Sequence, residues 1–110
     1  MFAEVKESLP ISGDDYDGQI IREIKAAALD LTTSAEIELP GTIEITRSSQ
    51  GVINDTSTLT DELIITAIAT WCNMRIGNPP NYDKLLAAYN SMKGQLRLSK
   101  TYTASEVTTE

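Results

Sequence analysis

The chain has 110 residues, with sixteen acidic and nine basic side chains, one cysteine and no histidine, for a formal charge of −7. That length suits one domain, with a folded radius of gyration of roughly 13 Å. The missing histidine removes the commonest general base and zinc ligand, the single cysteine excludes an intrachain disulfide or a cysteine-cluster metal site, and the acid excess argues against work that depends on gripping nucleic-acid phosphates.

Phe2, Val5 and Leu9 stand at helical spacing and predict a short first helix, stopped by Pro10 and Gly13. Asp14 and Asp15 then offer an N-cap for a second helix from about Asp15 to Leu31. Its apolar stripe runs through Tyr16, Ile20, Ile24, Ala27 and Leu31, and Thr32-Thr33-Ser34 close it.

Over residues 35–47 the period changes to two. Ile37 and Leu39 alternate with Glu36 and Glu38, and Ile43 and Ile45 alternate with Thr42, Glu44 and Thr46. Pro40-Gly41 lies between the two runs, which predicts a β-hairpin turning there. A lone hairpin is marginal in water, so it needs a neighbour, either the helices or another subunit, and Ile37, Leu39, Ile43 and Ile45 are candidate portal or subunit interface residues. The polar stretch 48–58 reads as a surface loop that a partner could order, with Val52-Ile53 able to add a short strand.

Thr58-Leu59-Thr60-Asp61 loosely matches a capping box, and the next apolar face, with Ile64, Ile68 and Trp71 at its centre, predicts a third helix from about Asp61 to Ile76. Gly77 is its stop and Asn78-Pro79-Pro80 prevents continuation. A fourth helix from about Asn81 to Leu98 carries Tyr82, Leu85, Leu86, Tyr89, Met92 and Leu96, with Gly94 as a weak point. The short connection makes the last two helices antiparallel neighbours. Trp71 is expected against the last helix and the second. The expected core is Ile20, Ile24, Leu31, Ile64, Ile68, Trp71, Leu85, Tyr89 and Leu96. The fold class is thus mainly α: about four helices, with a hairpin and long loop (35–57) inserted between the second and third. Residues 1–98 form the helical domain. Residues 99–110 lack an apolar period and read as an extended tail, in which Lys100 and Tyr102 are candidate interface residues.

No motif for chemistry emerges. Asp14-Asp15-Tyr16-Asp17-Gly18 lacks the spacing of a calcium loop and accounts for itself as helix capping. Cys72 and Met74 are two apart on a helix and do not converge on a metal, and Cys72 has no histidine to activate it. Ser48-Ser49-Gln50-Gly51 lacks the lysine and following helix of a phosphate loop. Asp61-Glu62 belong to a helix first turn. The chain is therefore expected to be no enzyme, with no catalytic residues, cofactor or metal. No stretch reaches the roughly 18–20 apolar residues of a membrane span, and the acidic N-terminal sequence has neither the basic region nor the apolar run of a secretory signal. The charge is polarised: residues 1–62 carry thirteen acids and four bases, net −9, and residues 63–110 carry three acids and five bases, net +2. Such polarity suits head-to-tail stacking or docking onto a charged partner.

From Thr58 to Leu98 the chain has a particular order of features: a capped apolar helix ending in Trp71-Cys72-Asn73-Met74-Arg75-Ile76-Gly77, then Asn78-Pro79-Pro80-Asn81-Tyr82-Asp83-Lys84-Leu85, then Tyr89-Asn90-Ser91-Met92-Lys93-Gly94-Gln95-Leu96. This segment, with the N-terminal half, resembles the head–tail connector (head-completion or adaptor) proteins of long-tailed bacteriophages. The resemblance implies a structural virion protein, assembled in the host cytoplasm, that forms a dodecameric ring beneath the portal. Its partners would be further copies of itself, the portal protein, and a tail or second head-completion protein. DNA would pass through the channel without specific binding, and no membrane is involved. The competing readings are a small helical DNA-binding regulator, with Lys84, Asn90, Lys93, Gln95 and Arg97 on its last helix, and a generic interaction adaptor. Deleting residues 99–110 is expected to leave thermal unfolding of the chain unchanged and to weaken its capture by portal, measured by co-sedimentation.

Overall fold

The computed structural model describes residues 1–11, 13–76 and 79–98. It has four α-helices and a two-stranded hairpin: α1 (Phe2–Glu7), α2 (Asp17–Thr33), β1 (Ile45–Arg47), β2 (Ile53–Asp55), α3 (Glu62–Arg75) and α4 (Tyr82–Leu98). The hairpin stands between α2 and α3, as its place in the sequence requires. Gly77 and Asn78, expected to stop α3, and the segment 99–110 with Lys100 and Tyr102, lie outside the described residues.

The central element is α3. It packs against α1, α2 and α4, and Ile64, Ala67, Ile68 and Cys72 are fully buried. From α2 the core takes Ile20, Ile24, Ala27 and Leu31, from α1 Val5 and Phe2, and from α4 Tyr89 and Leu96. Each such aliphatic side chain contributes roughly 1.5–3 kcal/mol on leaving water. Trp71 and Leu85 are half-buried against this cluster.

Helix starts follow local chemistry, with two departures from expectation. At α3 the capping residue is Asp61, whose Oδ1 accepts the Ile64 N–H at 3.1 Å. Thr58 is instead spent on the ribbon described below. At α2 the N-cap is Tyr16, with no side-chain cap. The acidic turn serves another purpose: Lys6 of α1 lies 2.8 Å from Asp17 and 3.3 Å from Asp14. Asp17 is buried, and a buried carboxylate needs a partner. The turn therefore ties α1 to the start of α2.

The hairpin does not turn at Pro40-Gly41. Its antiparallel register pairs Ile45 with Asp55, Thr46 with Asn54 and Arg47 with Ile53. The ribbon continues outward, because the Glu44 carbonyl accepts Thr56 N–H at 2.8 Å and the Thr42 carbonyl accepts Thr58 and Leu59 N–H at 3.0 and 3.1 Å. The turn is Ser48–Gly51. There Gly51 N–H donates to the Ser48 carbonyl (2.9 Å), Ser48 Oγ accepts from Gln50 and Val52 N–H (3.2 and 3.1 Å), and Gly51 has φ = 85°. Only glycine takes that conformation at no steric cost. Gly41 is instead a close approach: a Cβ on it would lie 2.7 Å from Leu59 Cα. Residues 35–39 keep alternating burial and pair with no strand among the described residues. Ala35 and Ile37 point inward on either side of Glu36, whose φ of 58° reverses the chain after α2.

One carboxylate joins the hairpin to α1. Asp55 Oδ2 accepts the Phe2 N–H at 2.7 Å and lies 3.0 Å from the Met1 α-ammonium, and Oδ1 accepts the Ser57 N–H at 3.1 Å. Burial alone would raise this carboxyl, but the Phe2 and Ser57 donors and the ammonium outweigh it and hold Asp55 well below the ordinary carboxylate range. A lowered pKa stabilises the fold above the ordinary value and loses that contribution as pH falls through the folded value. Asp55→Asn is therefore expected to cost about 1–3 kcal/mol at neutral pH. Urea unfolding of both proteins should show that difference shrinking as pH drops below about 4.

Candidate functional site

The described surface offers three features: a polar seam, two hollows of which the smaller adjoins the seam, and an exposed outer face of α4. The seam runs where α2 meets the α3–α4 pair. Trp71 Nε1–H donates to Glu23 Oε1 at 3.0 Å, and Arg75 Nε lies 3.5 Å from the same oxygen. The Arg75 guanidinium also sits over the Trp71 ring, 5.4 Å from its centroid. One helical layer further on, Tyr89 Oη–H donates to Asp30 Oδ2 at 2.6 Å, and Lys93 Nζ reaches the same oxygen and Ser34 Oγ, both at 3.2 Å. The Trp71 and Tyr89 rings join the two halves, with centroids 5.3 Å apart and planes tilted by 59°, a favourable offset geometry.

The seam is structural in its chemistry. Burial, and then the Asp30 carboxylate beside it, push the Tyr89 hydroxyl far above its ordinary value, so it remains a donor. Burial, with the Glu23 charge adding to it, pushes the Cys72 thiol up to about 12, the opposite of an activated nucleophile. Among the described residues no group of three or more His, Cys, Asp and Glu could hold a metal ion. No described helix is long and apolar enough to cross a membrane.

The larger hollow, about 360 Å³, is a groove between α1 and α3 lined by Glu4, Ser8, Glu62, Thr66, Ala69 and Asn73, with Ile65 and Thr70. The smaller one, about 260 Å³, lies between the end of α2 and α4 at Ser34, Ala35, Asn90, Lys93, Gly94 and Arg97. The first carries carboxylates on its rim, the second cations. Large apolar side chains in contact with water are Tyr16, expected in the α2 stripe but standing at its N-cap, Leu29, Val52 at the hairpin turn, Tyr82, Leu86 and Leu98.

The interface candidates divide. Ile37 and Ile45 are 3% and 1% exposed in this chain's own core, so they present no free face to a partner. Helix α2 packs against β1, and Asp55 of β2 ties the hairpin to α1, so this chain's own helices are the neighbour the hairpin needs. Leu39 and Ile43 are half-buried against the same core. Of the core candidates, Ile20, Ile24, Leu31, Ile64, Ile68, Tyr89 and Leu96 are buried, and Trp71 and Leu85 are partly so. Sequence reasoning passed over Glu23, Asp30 and Asp55, because an acidic residue beside an apolar stripe reads as solvated until its partner is known. The one available signal was that Trp71 and Tyr89 each need a hydrogen-bond acceptor when buried.

No family model, curated protein or solved structure matches the chain.

Tyr89→Phe removes one bond to a carboxylate and leaves Asp30 with Lys93 alone. It is expected to cost about 1–3 kcal/mol, read as a lower urea midpoint with unchanged slope.

Proposed function

We propose that this chain is a non-catalytic structural subunit of a phage head–tail connector: a ring beneath the portal that extends the DNA channel and presents a surface to the tail or a second head-completion protein. The observation that carries this reading is the α3–α4 unit. Among the residues on which the connector resemblance rests, Trp71 through Arg75 and Tyr82 through Leu96 belong to two packed helices, joined by the Trp71–Tyr89 contact. Three further features support it. The acid excess disfavours tight phosphate contact along a channel through which DNA must move. Much of the basic charge near the seam is neutralised by Glu23 and Asp30. The surface keeps Val52, Leu86 and Leu98 in water, as suits a subunit that covers them on assembly.

The test is electron microscopy and native mass measurement of the chain with purified portal. Ring-shaped particles seated on the portal, of the portal's own symmetry or a divisor of it, are the expected result. Failure to bind the portal, together with a sequence-specific gel shift of the monomer on duplex DNA, would overturn the reading in favour of a regulator.

A further inference from the structure

A glycine inside a helix, on a face turned to water, costs about 1 kcal/mol relative to alanine. Gly94 of α4 is such a residue, and nothing in the described protomer calls for it: a Cβ built there meets none of the described atoms within 4 Å. The residues around it share the property. Helical spacing places Lys84, Ala87, Ser91, Gly94 and Leu98 in one stripe, opposite the Leu85, Tyr89, Met92 and Leu96 stripe that meets the core. All five are exposed. A stripe whose middle is Ala, Ser and Gly lets another backbone come close.

This chain carries a surface that matches it. In the α1–α3 groove, Thr66, Ala69 and Asn73 cover two helical turns, about 10 Å, the same length as Ala87 to Gly94, and they too are small. The charges are complementary. Glu4 and Glu62 line the groove, while Lys84 belongs to the α4 stripe and exposed Arg97 flanks it. An antiparallel approach sets Arg97, in the last turn of α4, against Glu62, in the first turn of α3. The two helix dipoles then favour the pairing as well.

We propose that the outer face of α4 seats in the α1–α3 groove of a second copy. Because the two surfaces are different parts of one chain, each copy can offer α4 to one neighbour and its groove to the other. Such a head-to-tail contact closes into a ring when the rotation between copies closes. The contact rests on the connector reading for that closure.

Sedimentation velocity from micromolar to submillimolar concentration tests it. The wild-type chain is expected to gain mass with concentration. Gly94→Leu and Glu62→Arg should each weaken association by about tenfold or more, and Gly94→Leu should melt no lower than wild type. Copies carrying Glu62→Arg, mixed with copies carrying Lys84→Glu and Arg97→Glu, should associate more tightly than either alone. A chain that stays monomeric, variants that associate like wild type, or a mixture that does not recover would each overturn the proposal. So would a lower melting point for Gly94→Leu, which would show that the face is covered from within the same chain. The two readings fail separately. Open chains that use these residues and ignore the portal would sink the ring and leave the contact standing. Portal-bound rings formed equally well by the variants would sink the contact and leave the ring.

Discussion

Burial of α3 is the constraint that arranges everything else. Its apolar residues are spread over more than one face, with Ile64, Ala67, Ile68 and Cys72 fully enclosed and Met74 nearly so. A helix apolar over most of its circumference must be covered on several sides. Three helices do this: α2 and α4 along its length, and the short α1 across the remaining gap. Six residues of α1 could not hold a helix alone. It persists because Phe2 and Val5 are buried against α3 and α2, and because Lys6 and Asp55 fasten it at two points.

Apolar burial is non-directional, so it does not say which turn of α2 should face which turn of α3 and α4. The carboxylates of Glu23 and Asp30 decide that. They stand seven residues apart on α2, two turns, and each receives an aromatic donor: the Trp71 indole N–H for one and the Tyr89 hydroxyl for the other. A slip of one residue in either helix would strand both donors and both charges. The net worth of such bonds is small, but the cost of leaving a buried polar group unmet is larger. The seam therefore specifies register more than it adds stability.

The same division of labour leaves α4 half used. It gives Tyr89 and Leu96 to the core and Lys93 to the seam, and turns Ala87, Ser91 and Gly94 outward. On the proposed reading, a helix committed along one side leaves its other side for assembly, and the polarity of charge along the chain would give that assembly a direction. In the connector reading, the protomer folds around α3 and meets its neighbours through what α3 did not need.

The helices were legible in the sequence, because the 3.6-residue period and the Pro79-Pro80 break are local signals that act within a few residues, although the residue that caps α3 is Asp61 and not the expected Thr58. The inserted hairpin was legible as to place and class but not as to pairing. Period two over 35–47 reports extended chain with one buried side, and residues 35–39 have that burial without any strand partner. Pairing is a matter of which second strand lies alongside. Here that was decided by the Ser48–Gly51 turn and by the Thr42–Thr58 contact, sixteen residues apart. The sequence by itself determined the helical elements, the absence of histidine and most of the core stripes, all of which depend on composition and short-range spacing, although Tyr16, Tyr82 and Leu86 of those stripes stand in water. Only the tertiary structure decided that Ile37 and Ile45 turn inward, that Glu23, Asp30 and Asp55 are ties instead of solvated charges, and that Gly94 faces open space. Those outcomes depend on groups brought together from distant parts of the chain, and a residue's neighbours across the fold are not written in its neighbours along it.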